Sequence, residues 1–177
     1  GYWSGLIGEQ HLSIDPHVIG YDEVIDVPST HVEDIAPAAR GLLARLANER
    51  PGAPWFPSVG FFETHRTFFE PASAESERYG AVPEALPDTP ATRRDLAAFR
   101  SSAETLDAGV ADVLAALGEH GFADDTLVVL TTDHGMPFPP AKANLTDLGT
   151  GVMLVMRGPG GFQGGRVEDA MVSHLDL

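Results

Sequence analysis

The chain has 177 residues, a length that fits one domain. It carries 11 Lys plus Arg against 26 Asp plus Glu, a net charge of −15; this argues against nucleic acid and anionic lipid surfaces as partners, because both need clustered cations. Hydrophobic residues make up 43% of the chain, enough for a packed core, and the lack of Cys removes disulfides, thiolate metal sites and a cysteine nucleophile.

In chain order, Trp3 to Ile7 is a short apolar stretch that fits a buried strand. Residues 12–32 are polar and turn-rich. Ile35, Leu42, Leu43 and Leu46 fall near helical spacing, and Asn48, Pro51 and Gly52 mark the end of that helix. Trp55 to Phe62 fits a second buried strand, and residues 63–90 form a long Pro-, Glu- and Ser-rich loop of the kind that carries function. Thr89-Pro90 is an N-cap followed by Pro at the first helical position. Leu96, Phe99, Ala103, Leu106, Val110, Val113, Leu114 and Leu117 then predict a long helix, stopped by Gly118 and Gly121. Thr126 to Thr131 is β-branched and apolar throughout, the pattern of a central parallel strand. Val152 to Met156 is another strand, followed by the turn Arg157 to Gly161.

Alternation of strands and helices predicts an α/β fold with a mostly parallel sheet flanked by helices. No apolar run approaches the roughly 18–20 residues of a membrane span. The chain opens at Gly1-Tyr2 and closes at Asp176-Leu177 as if both lay inside a domain, so residues 1–177 are expected to be the central part of a larger one, truncated at both ends.

Ligands of such sheets sit beyond the carboxyl ends of the strands. The three loops there contain His11, His65 and His134. Asp133-His134 puts a carboxylate beside an imidazole, a pair that can ligate a divalent cation. The same dipeptide also reads as a turn cap beside an exposed histidine. His11 and His65 taken singly are equally surface histidines, and Lys142 a solvated loop lysine. Taken together at strand ends they are expected to suit a tetrahedral oxyanion, with Asp133 and His134 holding a cation and the others donating hydrogen bonds around charge that develops on transferring oxygens. Thr64, Thr67 and Ser13 offer hydroxyls, but none lies in an activating motif. His17, His31, His120 and His174 read as surface or structural. Arg93, Arg94 and Arg100 form the visible basic cluster near a functional loop and are expected to decorate the long helix.

Six segments in order carry a resemblance: Gly1-Tyr2 through Gly8-Glu9-Gln10-His11-Leu12, Ser58 to Arg66, Thr89 to Ala98, Asp124 to Gly135, Met136 to Leu145, and Val172 to Leu177. They resemble the sulfatases of the alkaline-phosphatase-like superfamily, and Pro137-Phe138-Pro139 resembles the heparan N-sulfatase (sulfamidase) branch. The resemblance implies an incomplete alkaline-phosphatase-like domain from a hydrolase of sulfuric esters or sulfamates. It implies that His11, His65 and Lys142 are catalytic, that His65 and Lys142 bind sulfate, and that Asp133 and His134 ligate one divalent cation, Ca²⁺ by family habit. The substrate would be a small-molecule or glycan sulfate ester or sulfamate. The family nucleophile is a formylglycine made in a Cys/Ser-x-Pro-x-Arg motif. That motif and an Asp-Asp metal pair are expected upstream of this chain, so the 177 residues alone are expected to be inactive. Exported, periplasmic or lysosomal relatives are common; the sequence leaves the compartment and the oligomeric state open.

Two positions depart from the family pattern. Glu9 stands where Lys is usual, and a carboxylate cannot replace an ammonium opposite sulfate. His134 stands where many members have Asn, which opens the site to Mn²⁺ or Zn²⁺. Two other readings stay open: a phosphodiesterase or phosphonate monoester hydrolase of the same superfamily, and a non-catalytic relative that binds sulfated glycans.

Overall fold

The computed structural model describes residues 1–162 and 164–177. Strand β1 (Trp3–Gly8) lies between β2 (Glu23–Ile25) and β3 (Trp55–Gly60) in a parallel sheet of order β2-β1-β3. Gly5 pairs with Glu23, and Trp3 through Gly8 pair with Trp55 through Gly60. Parallel neighbours need a long crossover, and helix α1 (Val32–Glu49) supplies it between β2 and β3. Its apolar stripe Ile35, Ala39, Leu42 and Leu46 covers Ile7, with Trp3, Ile25, Trp55 and Val59 closing the margin. Ile7 and Ile35 are fully buried.

β2 falls in a stretch read as polar loop. Three residues are too few to show a period, and tertiary pairing makes the strand. Asp22 fixes its start by accepting from the Ser4 N–H at 2.8 Å and the Ser4 hydroxyl at 3.0 Å. Arg45 of α1 holds Glu23 with both guanidinium nitrogens, at 3.0 and 2.7 Å.

Helix α3 (Pro90–Glu119) begins where Thr89 predicts, with its hydroxyl accepting from the Thr92 N–H at 3.2 Å. It ends where Gly121 adopts φ 76°, with Gly121 N–H donating to Gly118 O and Phe122 N–H to Leu117 O. That two-bond C-cap needs the left-handed residue glycine supplies. The helix serves two cores. Its C-terminal half packs Ala116 and Leu117 on Leu43 of α1, and its N-terminal half packs Leu96 on Leu86 and Phe138. α3 therefore joins the sheet to the loops that follow the strands.

Residues 63–90 are less open than their composition suggests, because they contain α2 (Ala74–Tyr79), capped by Ser73. β4 (Val128–Thr131) corrects another expectation. It pairs antiparallel with β5 (Leu154–Arg157), in a separate two-stranded sheet. The connection between them holds only the four-residue α4 (Asp147–Thr150). An all-apolar strand reports how apolar its two faces are, not the direction of its neighbour. Val129 and Val155 stay exposed, at 42% and 56%.

Candidate active site

The ends of β1 and β3 lie side by side. Glu9 N–H donates to Gly60 O at 2.9 Å, one step beyond the ladder. Gly8 and Gly60 let the two chains part there: a Cβ on Gly60 would sit 2.0 Å from Glu9 O, and one on Gly8 2.2 Å from Gly60 O. One loop then leads to His11 and the other to His65.

His65 is placed by a layered set of contacts. Its N–H donates to Phe62 O at 2.7 Å, and Phe62 N–H donates to Thr30 O at 2.8 Å. The Phe62 ring lies 4.8 Å from both the His31 and the His65 ring centroids. Behind them Glu63 is buried, with a side chain 3% exposed. One Glu63 oxygen accepts from His31 Nδ1 at 2.9 Å, and the other from the Val32 N–H at 3.1 Å. This carboxylate satisfies a free donor at the start of α1, where negative charge is also favoured by the helix dipole. His65 Nδ1 lies 2.6 Å from Arg66 O. A carbonyl only accepts, so Nδ1 carries a proton and Nε2 is the ring atom left for a ligand.

Arg66 ties three segments together. It meets Asp95 of α3 with both terminal nitrogens, at 2.9 and 2.5 Å, and donates from Nε to Pro137 O at 3.2 Å. Its guanidinium also lies over the rings of Phe68 and Phe138, at 4.5 and 5.1 Å. The Asp95 pair holds the Arg66 pKa above its ordinary value, with burial opposing.

His65, Arg66, Pro137, Phe138, Pro139, Lys142 and Ala143 line one cleft of about 490 Å³. The loop carrying Lys142 is anchored by Phe138, which is buried among Leu86, Leu96, Phe68 and Phe99. It coils tightly, with Lys142 N–H donating to Met136 O and Ala141 N–H to Phe138 O. The coil requires two glycines. A Cβ on Gly135 would lie 1.7 Å from Leu148 O, and one on Gly149 would lie 2.3 Å from Ala141 O.

Asp133 and His134 follow β4. His134 Nδ1 lies 2.7 Å from Gly135 O and so carries its proton there. Nε2 lies 3.3 Å from Asp133 Oδ2, a spacing that a proton on Nε2 or a cation held between the two would bridge. The carbonyl behind the ring orients it in the way that outer partners orient metal-ligating histidines. These two side chains fit one side of a divalent cation. Among the described residues no group of three or more His, Asp or Glu side chains gathers around such an ion.

The remaining predicted residue, His11, has Nε2 2.9 Å from Glu9 Oε1, and its side chain is 77% exposed. The predicted residues thus stand in three groups: His65 with Lys142, Asp133 with His134, and His11 with Glu9. Sequence reasoning missed Arg66 and Glu63 as supports of the site. Their partners Asp95, His31 and Val32 lie on other elements, so no local pattern marks the pairs. The basic cluster on α3 also differs from its reading as surface decoration. Arg93 holds Asp88, Arg94 holds Glu70 and Glu77, and Arg100 reaches Ala81 O. These residues strap segment 70–88 to the helix.

The sulfatase family profile matches residues 1–177. The chain belongs to the sulfatase family. It is 30% identical to human N-sulphoglucosamine sulphohydrolase over 209 aligned positions, which cover 100% of this chain and 41% of that relative. It is 30% identical to the steryl-sulfatase of Mus musculus over 176 positions, 82% of this chain and 26% of that one. The chain spans less than half the length of these curated sulfatases. Among solved structures, the lipoteichoic acid synthase LtaP of Listeria monocytogenes superposes with a TM-score of 0.55 at 16% identity, over 93% of this chain and 45% of that one. At that identity the likeness concerns the fold, which is α/β with the parallel sheet and flanking helices described above.

Proposed function

We propose that these residues form the sulfate-binding and leaving-group side of a hydrolase of sulfate esters or sulfamates. One observation carries the reading within the family: a single cleft brings together His65, from the β3 loop, and Lys142, from the β4 loop. An ammonium beside an imidazole suits a tetrahedral oxyanion. Lys142 would pair with sulfuryl oxygens and offset the charge they gain in the transition state. His65 would contact the same group through Nε2. When protonated there, it would pass that proton to the departing oxygen or nitrogen, while Nδ1 stays on Arg66 O. Asp133 and His134 would hold a divalent cation, Ca²⁺ or a softer ion such as Mn²⁺ or Zn²⁺, which when bound draws charge from the sulfuryl oxygens. His11 would serve as a base.

The nucleophile would come from outside these residues. The chain has no Cys and no Ser-x-Pro-x-Arg sequence. The test is turnover of an aryl sulfate and an aryl phosphodiester by a polypeptide that carries this chain together with a formylglycine segment. The reading expects the sulfate to be the better substrate, Lys142→Ala to lose about 10²–10³-fold in kcat, and the 177-residue chain alone to be inactive. Preference for the phosphodiester would overturn it in favour of a phosphodiesterase. Binding of a sulfated oligosaccharide without turnover would make the protein a glycan binder.

A further inference from the structure

We propose that Glu9 is a positioning residue for His11, forming a Thr30–Glu9–His11 chain that leaves His11 Nδ1 as the basic atom. The inference rests on the reading of His11 as a proton-transfer group.

Glu9 is spoken for on both oxygens. Oε2 accepts from the Thr30 hydroxyl at 2.7 Å, and Oε1 lies 2.9 Å from His11 Nε2. Thr30 is itself held in place, because its carbonyl accepts from Phe62 N–H at the root of the His65 turn. The Glu9 backbone is pinned to Gly60 O. The carboxylate is therefore fixed from two sides, and its side chain is 28% exposed while the imidazole it meets is 77% exposed. A carboxylate has no proton to give at neutral pH, so a nitrogen that approaches it to 2.9 Å carries the proton. That assigns the neutral ring to the Nε2–H form. The lone pair then sits on Nδ1, which has no hydrogen-bond partner among the described residues.

The assignment explains the departure at position 9. A lysine there would face the ring with a donor and favour the opposite tautomer. The glutamate is not opposed to sulfate without compensation, because it is turned toward Thr30 and His11 and does not line the cleft of His65 and Lys142. When His11 Nδ1 accepts a proton from an O–H group, the imidazolium forms beside an anion already in place. Nε2 keeps its own proton, and Glu9 stays ionised.

The experiment is ¹⁵N NMR of the imidazole nitrogens in the 177-residue chain, at a pH where the rings are neutral. His17, an exposed histidine, is the internal reference. The expected result is a single Nε2–H form for His11 against a mixture for His17. Glu9→Ala should bring His11 to the His17 mixture, Glu9→Lys should move it toward Nδ1–H, and Thr30→Val should move it part of the way to the mixture. Unchanged amide spectra of β1 and β3 show that each variant is folded. A His11 that matches His17 in the unaltered chain, or ignores both Glu9 variants, overturns the proposal. Titration of the same samples with inorganic sulfate separates the two readings. Failure of sulfate to shift His65 and Lys142, with the His11 tautomer intact, would remove the hydrolase reading and leave the Glu9–His11 pair standing.

Discussion

Arg66 and Asp95 meet in a two-pronged ion pair that fastens the turn after β3 to the second turn of α3, the 30-residue helix. The same guanidinium also reaches Pro137 O, so one side chain spans both walls of the cleft. Arg66→Lys keeps the charge but loses the fork. The expected loss is about 1–2 kcal/mol, measured by urea unfolding, together with weaker sulfate shifts at His65 and Lys142. Equal sulfate binding in the lysine variant would show that the cleft does not depend on the clamp.

Gly135 and Gly149 are required by close backbone approach. Gly135→Ala places its Cβ against Leu148 O, which belongs to the main chain and cannot swing away. The expected cost is more than about 2 kcal/mol, with faster hydrogen exchange concentrated in residues 133–150. Gly41→Ala is the control. It lies in α1 with nothing near its Cβ position, and should stabilise the chain by roughly 0.5–1 kcal/mol.

Ile35 is fully buried between α1 and the sheet, whereas Ile14 is fully exposed. Ile35→Ala should cost about 2–5 kcal/mol. Ile14→Ala should stay within about 0.5 kcal/mol. Denaturant midpoints of the two variants check the assignment of the core.

The Asp22 carboxyl is held below its ordinary value of 3.8, first by the Ser4 N–H and then by the Ser4 hydroxyl. Its folded-state pKa is lowered, so the unfolded chain binds the proton more readily. The contribution is therefore fully present well above pH 3.8 and is lost as pH falls through 3.8 toward the folded value. Asp22→Asn should be less stable than the unaltered chain at pH 6, and the gap should narrow below pH 3.8. A gap that does not vary with pH would place the effect of Asn elsewhere than in the carboxylate charge.

Mn²⁺ added to the chain should broaden the resonances of residues 132–135 selectively, because Asp133 Oδ2 and His134 Nε2 face each other at 3.3 Å. Asp133→Asn should abolish most of that broadening. Broadening spread over the acidic surface, or unchanged by the substitution, would count against this pair as ligands.

The sequence alone determined what depends on local chemistry. The extent of α3 followed from Thr89, Pro90 and Gly121, because caps act within one turn of the chain. The burial of Ile35, Leu42 and Leu46 followed from helical spacing and that of Ile7 from a short apolar run, because a helix shows one face to the core and an apolar strand is drawn into it wherever they pack. The sulfatase family was legible from ordered short motifs, and the same motifs nominated His11, His65, Asp133, His134 and Lys142 as the residues to test. The tertiary structure decided what depends on distant partners. It made a strand of Glu23–Ile25, turned β4 antiparallel to β5, and spent Arg93, Arg94 and Arg100 on strapping segment 70–88. It also seated Glu63 under His31, set Glu9 between Thr30 and His11, and drew His65 and Lys142 into one cleft. Main-chain pairing and ion pairs join groups by position in space, and a one-dimensional pattern records only the face that each residue presents.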